Sequence, residues 1–220
     1  MNDKPRKFVI GDIHGRYDRL ISVLKKSKLN YMNDTLIILG DVCDGGSQTK
    51  ECVEELLKIR NRVFVIGNHD SWLIEYLKAK EQNPKWEYAP WIWTSQGGDM
   101  TLLSYSEGVP KTHFDFFTKE SKPYHVEGNK LFVHGGYPYG SSPRFETVET
   151  LTWDRSLIYA MKNGKLNLQP WDHVFVGHTT TQMFGTDKPL TFGNLTCLDT
   201  GGGWDGKLTI MDIKTMKYWQ

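Results

Sequence analysis

Three cysteines in 220 residues, Cys43, Cys52 and Cys197, with no Cys-x-x-Cys pair among them, leave no material for a disulfide framework or a thiolate zinc site. Buried free thiols in a reducing compartment are the expectation, and with them a cytoplasmic location. Charge of one sign is missing too. Lys+Arg is 27 against 26 Asp+Glu, so no net field recruits duplex nucleic acid or an anionic membrane. No apolar run approaches the roughly 20 residues of a membrane span. The polar start (1–7) and the short apolar run ending at Gly11 do not make a signal peptide. There is no internal repeat, linker or low-complexity tract. The length fits one domain, 1–220, with a large core; a monomer suffices, and the oligomeric state stays open.

What is present is a repeated device. Gly11-Asp12-Ile13-His14-Gly15 follows the first apolar run, Phe8-Val9-Ile10. Four later stretches have the same form: Gly40-Asp41 with Asp44, Gly67-Asn68-His69-Asp70, His134-Gly135-Gly136 and Gly177-His178-Thr179. Each sets an Asp, Asn or His beside glycine at the end of a short β-like run. Alternation along a strand would send Asp12 and His14 to the same side.

The runs 8–10, 35–39 and 63–66 read as buried strands, and the helical patterns 17–26, 49–60 and 71–80 follow them. That rhythm predicts a parallel core, whose ligands collect at the carboxyl ends of the strands. Residues 84–98, with Trp86, Tyr88, Trp91 and Trp93, break the rhythm and read as an irregular segment that chiefly packs an outer layer, a wall beside the site or a stacking platform for a base being the lesser reading. Helical pieces follow at 100–105 and 111–120. Glu127-Gly128-Asn129 marks a hairpin between strands at 124–126 and 130–133. A helix after Ser156 leads to a strand at 174–176, and short strands at 195–198, 207–213 and 218–220 close the chain. The expected fold is α/β (α+β): a four-layer α/β/β/α sandwich of two mixed sheets flanked by helices.

Carboxylate, imidazole and amide oxygen suit Mn, Fe or Zn. Asp41 is the natural bridge, since one carboxylate can hold two ions roughly 3.5–4 Å apart. Asp12 and His14 would complete one ion; Asn68, His134 and His178 would complete the other. Two anionic ligands against two divalent cations leave the centre positive, which attracts phosphate. His69, next to Asn68, is placed to act as general acid, with Asp44 holding its other nitrogen. His113, His125 and His173 lack the strand-end setting and read as structural.

These residues bear a resemblance. Gly-Asp-Ile-His-Gly (11–15), Gly-Asp-Val-Cys-Asp (40–44), Gly-Asn-His-Asp (67–70), His-Gly-Gly (134–136) and Gly-His-Thr (177–179) resemble, in order, the motifs of the calcineurin-like metallophosphoesterases. The likeness is greatest to the phosphoprotein-phosphatase branch of bacteriophage lambda type, and it extends to Thr-Trp-Asp-Arg (152–155) and Leu-Asp-Thr-Gly (198–201). The resemblance implies a dinuclear centre, usually manganese, with Asp12, His14, Asp41, Asn68, His134 and His178 as ligands. It implies direct attack by a metal-bridging hydroxide without a phosphoenzyme, His69 with Asp44 as the acid dyad, and Arg155 with Asn68 facing the phosphate.

Two departures accompany it. Gly45 and Ile66 stand where the family commonly has phosphate-clamping arginines, which leaves Arg155 as the clamp carried over. Arg16, Arg62 and Arg144 are the candidates to compensate. The expected function is phosphomonoester hydrolysis on phosphoserine, phosphothreonine or phosphotyrosine in proteins. A nucleotide or dinucleoside-tetraphosphate hydrolase is the alternative, and a silent metal-binding scaffold ranks below both. Gly201 to Lys207 has P-loop spacing, but Leu208 replaces the required hydroxyl residue and a strand follows, so it reads as a glycine-rich bend near the site.

Overall fold

A strand with apolar residues on both faces needs an apolar layer on each side, and this chain builds two such sheets. The computed structural model describes residues 4–165 and 167–220; residues 1–3, the beginning of the polar N-terminus, lie outside that description, as does 166. The strands are β1 (Lys7–Ile10), β2 (Thr35–Ile38), β3 (Asn61–Val65), β4 (Ser121–Lys122), β5 (His125–Glu127), β6 (Lys130–Phe132), β7 (His173–Val176), β8 (Leu190–Phe192), β9 (Leu195–Cys197), β10 (Ile210–Asp212) and β11 (Tyr218–Trp219). One sheet runs β11-β10-β1-β2-β3-β4, the other β5-β6-β7-β9-β8. In the first, β1 to β4 are parallel and β10 joins β1 antiparallel. In the second, β6, β7 and β9 are parallel, with antiparallel neighbours at both edges. Both sheets are mixed, as expected. The sheets do not divide the chain into halves, however, because the C-terminal strands return to pair beside β1.

The helices are α1 (Tyr17–Ser27), α2 (Thr49–Leu57), α3 (Asn68–Gln82), α4 (Trp91–Trp93), α5 (Asp99–Ser104), α6 (Lys111–Asp115), α7 (Val148–Trp153) and α8 (Ser156–Lys162). Alternation along the strands sorts the core into layers. Phe8, Ile10, Leu36, Ile38 and Phe64 meet α1, α2 and α3 through Leu20, Val23, Val53, Leu56 and Leu73. Their neighbours Val9, Ile37, Leu39 and Val65 turn the other way, onto Phe132, Phe175 and Leu198 of the second sheet. There the Phe132 and Phe175 rings stack at 5.0 Å. Leu131, Val133, Val174 and Val176 then face α7 and α8 through Leu151, Leu157 and Ile158. The order is helix, sheet, sheet, helix. Among the described residues no helix is long and apolar enough to cross a membrane.

Four of these elements were not visible in the sequence pattern: β4, β8, α7 and the three-residue α4. The two strands are three residues or fewer, too short for a period to show. α7 has six residues, and its one local signal is Thr147, whose hydroxyl accepts the Thr150 N–H at 3.1 Å.

The three histidines read as structural sit away from the carboxyl ends of the strands: His125 and His173 open β5 and β7, and His113 lies in α6. His113 bonds the Tyr105 hydroxyl at 3.0 Å and His173 the Thr196 hydroxyl at 2.7 Å. Burial lowers the pKa of His113, His125 and His173 below the ordinary histidine value. Below the unfolded value of about 6.5 the unfolded chain therefore binds more protons than the folded one, so stability is lost as pH falls. The variant with all three replaced by glutamine is expected to lose less stability than wild type between pH 7 and pH 5. Denaturant midpoints at the two pH values check this; equal losses would contradict it.

Candidate metal centre

Six of the parallel strands, three from each sheet, deliver their carboxyl ends to one place, the arrangement in which open α/β sheets hold ligands. From the first sheet, β1 leads to Asp12 and His14, β2 to Asp41 and Asp44, and β3 to Asn68 and His69. From the second, β6 leads to His134, β7 to His178 and β9 to Asp199. The turns are tight. His14, Asp41, Asp44 and His178 all have positive φ, at 50, 49, 71 and 61°. Non-glycine residues seldom adopt this conformation, and it is held where the surroundings over-determine it. β1 has ended by Ile10, so it is this turn at His14, and not strand alternation, that aims the ring.

The turns are tied by Asp70. Its buried carboxylate accepts the N–H of Asp41 at 2.7 Å, of Val42 at 2.9 Å, of Cys43 at 3.4 Å and of Gly67 at 2.9 Å. One side chain thus joins the second motif to the third. Glycine is required where the motifs touch: a Cβ on Gly67 would lie 2.1 Å from Asp41 Oδ1.

Two groups of ligand atoms result, each within 4.8 Å of one another: His14, Asp41 and His69, and Asp41, His134 and His178. Asp41 belongs to both. Its Oδ2 stands 3.6 Å from His14 Nε2 and 3.3 Å from His134 Nε2. Asn68 joins the second group through Oδ1, 3.0 Å from His134 Nε2. Asp12 lies against the second group, with Oδ2 accepting the His178 N–H at 3.0 Å. His69, the expected general acid, stands beside His14 and Asp41, with ring centroids 4.9 Å apart for the two histidines.

The donor set fits divalent cations. His14 Nδ1 faces the Cys43 carbonyl at 3.1 Å and His134 Nδ1 the Leu39 carbonyl at 2.6 Å. A carbonyl only accepts, so each Nδ1 carries the hydrogen and each Nε2 turns a lone pair toward Asp41. His134 Nε2 therefore meets the oxygens of Asp41 and Asn68, an array of acceptors that calls for a cation or a proton. Asp12 Oδ1 and His178 Nε2 are buried without a hydrogen-bond partner among the described residues. Burial, then His134, pushes His178 down to about 3, so that ring is neutral and its Nε2 can offer a lone pair to a cation. Burial opposes charge on Asp41, yet His134, His69 and His14 hold its carboxyl well below the usual range. Burial likewise opposes a charged His134, but Asp41 and Asp12 raise it: without an added cation the acids draw a second proton onto that ring.

Beside this array, His69 Nδ1 bonds Asp44 Oδ2 at 2.7 Å. Arg155 forms no ion pair among the described residues, and its charge acts on His178 and Asp199. Of the three candidate replacement arginines, Arg62 is held by both oxygens of Glu120 at 2.9 and 2.6 Å, and Arg144 lies over the Phe145 ring. Arg16 stays at the edge of the site, its Nε donating to the Gly203 carbonyl at 2.8 Å. That carbonyl belongs to the glycine-rich bend, which presses on the His14 ring: a Cβ on Gly203 would sit 2.5 Å from it. Cys43 is buried, and burial with Asp44, Asp70 and Asp41 pushes its thiol up, so it is inert. Asp199 is the acid that residue patterns did not assign. It follows β9 as the others follow their strands, and burial raises it to about 6.

Tryptophans rim the centre. Trp72 lies 5.1 Å from the His69 ring, Trp153 5.5 Å from both Trp72 and His178, and Trp204 5.8 Å from His14.

Known proteins share this plan. Residues 6–199 match the calcineurin-like phosphoesterase family. Serine/threonine-protein phosphatase 1 of Salmonella typhimurium is 24% identical over 214 residues, covering 94% of this chain and 91% of that protein. The symmetrical bis(5'-nucleosyl)-tetraphosphatase of Neisseria meningitidis is 24% identical over 270 residues, covering 94% and 92%. The cold-active protein-tyrosine phosphatase of a psychrophilic Shewanella has the same fold, with a TM-score of 0.62 at 15% identity over 96% of this chain and 76% of that one. The family match runs from β1 through the last of the six strand ends, and the chain accordingly belongs to the calcineurin-like phosphoesterases, hydrolases of phosphate esters.

Proposed function

We propose that the protein is a cytoplasmic phosphomonoesterase dependent on two divalent ions, manganese first among them, and that it acts on phosphorylated proteins. The observation that carries the reading is the pair of ligand groups sharing Asp41, with the His69–Asp44 pair beside them. His14, Asp41 and Asp12 would hold one ion, and Asp41, Asn68, His134 and His178 the other. Divalent ions bound there supply Lewis-acid polarisation of the phosphoryl oxygens and lower the pKa of water toward neutrality. Arg155 meets the phosphate with a charged donor, aided by Asn68, and Arg16 is positioned to assist. His69 gives its proton to the leaving oxygen as the bond from phosphorus to that oxygen breaks. Asp44 meanwhile accepts the Nδ1–H and fixes the tautomer. The likeness to the Salmonella serine/threonine phosphatase supports a protein substrate.

A nucleotide reading has its own support. The rim of Trp72, Trp153 and Trp204 offers rings against which a base could stack, and Gly45 and Ile66 leave out two arginines that commonly clamp phosphate in the family. The Neisseria relative is named for a dinucleoside tetraphosphate. With Mn²⁺, the purified protein is expected to hydrolyse p-nitrophenyl phosphate and to give higher kcat/KM on phosphopeptides than on dinucleoside tetraphosphates. The reverse order would assign it to nucleotides. No turnover on any of these esters would contradict both readings.

A further inference from the structure

The tryptophan-rich segment between α3 and α5 was expected chiefly to pack an outer layer. Its residues differ sharply in setting. Trp91 is 75% exposed and Tyr88 64%, whereas Trp93 is wholly buried. Trp93 reaches the acid dyad. Its indole Nε1–H donates to Asp44 Oδ2 at 2.9 Å, the same oxygen that bonds His69 Nδ1. Thr101, in α5, donates its hydroxyl to Asp44 Oδ1 at 2.7 Å and accepts the Asp44 N–H at 2.8 Å. Both carboxylate oxygens are thereby engaged, and the residue is fully buried.

The segment is keyed to the turn that carries Asp44. Gly45 N–H donates to the Gly97 carbonyl at 3.1 Å. Gly97 has φ 98°, and a Cβ there would come within 2.4 Å of Gly45 N. Gly98 leaves room for the Trp93 ring, since a Cβ on it would lie 2.4 Å from Nε1. Tyr76 of α3 covers the same indole, with centroids 5.3 Å apart. The side chains that hold Asp44 therefore come from elements lying between the third and fourth motifs.

We propose that Trp93 and Thr101 are positioning residues for ester cleavage. They lock the Asp44 carboxylate in the orientation that holds His69 by Nδ1 and leaves Nε2 for the leaving oxygen. The inference rests on the His69–Asp44 acid reading given above. A carboxylate lacking one of these donors can turn to find another partner, and the imidazole turns with it. Misplacement of a reacting group by about 1 Å costs on the order of 10²-fold in rate.

Leaving-group dependence separates positioning from packing. Phenyl phosphate expels a phenoxide whose conjugate acid has a pKa of about 10, and it needs the proton. 2,4-Dinitrophenyl phosphate expels a weakly basic anion that leaves without one. In the manganese-loaded full-length protein, Trp93→Phe and Thr101→Val are expected to lower kcat on phenyl phosphate by about tenfold or more. On the dinitrophenyl ester kcat should stay near wild type, as should KM for both esters and the manganese content. Thr101→Ser, which keeps the hydroxyl, should restore the loss, and Trp91→Phe should behave as wild type. Equal losses on the two esters, or no loss on either, overturn the proposal. Should Trp93→Phe fail to fold, the Thr101→Val and Thr101→Ser pair decides it. His69→Asn serves as the reference. If it shows no leaving-group dependence, the acid reading falls and the proposal falls with it. If it shows dependence while Trp93→Phe and Thr101→Val show none, only the positioning role is lost.

Discussion

His69→Asn is expected to lower kcat on phenyl phosphate by about 10²–10⁴-fold, the range that a positioned general acid contributes. Asparagine keeps a polar group of similar reach but cannot give up a proton. His69 Nδ1 is committed to Asp44 at 2.7 Å, so the ring has one nitrogen left for substrate. Burial works against the charged ring, yet Asp41 and Asp44 raise its pKa above the ordinary histidine value, which favours the proton-bearing form that an acid requires. The His69 N–H also bonds Asp41 Oδ1 at 3.0 Å, a backbone contact that asparagine retains. Manganese content should therefore change far less than turnover. Steady-state kinetics beside metal analysis of the same preparation checks this. Undiminished turnover would remove His69 from the acid role. Loss of metal in proportion to loss of rate would make the ring a ligand instead, a reading that its place beside His14 and Asp41 makes worth separating.

Asp70→Ala is expected to destabilise the fold by about 4 kcal/mol, because four buried N–H donors lose their acceptor at about 1 kcal/mol or more each. Those donors belong to Asp41, Val42, Cys43 and Gly67, the backbone that presents the shared carboxylate and the third motif. The effect should extend past stability. Asp41 holds a positive φ of 49° and lies against Gly67, so slackening the loop moves the carboxylate both groups share. Metal content should fall with the denaturation midpoint. Asp70→Asn, which preserves shape and one acceptor oxygen, should lose less of both. A stable Asp70→Ala protein with full metal content would show that the two turns hold themselves.

The strand ends were legible because the chemistry is local there. An apolar run, a glycine and a ligand-type side chain are contiguous in sequence, and β1, β2, β3, β6 and β7 each carry that signature. The parallel core was legible in the same way, since Val9 between Phe8 and Ile10 already requires apolar partners on both faces, and the turn from strand–helix alternation to short strands pointed to a second sheet. What the sequence could not show was reach across the fold. Asp199 looks like any acid after a strand until β9 is seen beside β7. Arg62, a candidate for the phosphate, is engaged by Glu120, 58 residues away. Trp93 and Trp91 are the same residue type two positions apart, yet one bonds Asp44 and the other faces solvent. β10 and β11 read correctly as strands, but which sheet they join depends on pairing with β1, which no local pattern encodes.

Metal stoichiometry bears most directly on whether distant residues gather to hold a pair of cations. Protein loaded with Mn²⁺, freed of excess by gel filtration and analysed for metal is expected to carry about two ions per chain, the number a shared carboxylate bridges. Asp41→Asn should lose metal from both positions at once, because both groups use that side chain. One ion or none in the wild type, or an Asp41→Asn protein that binds as much as wild type, would contradict the shared centre.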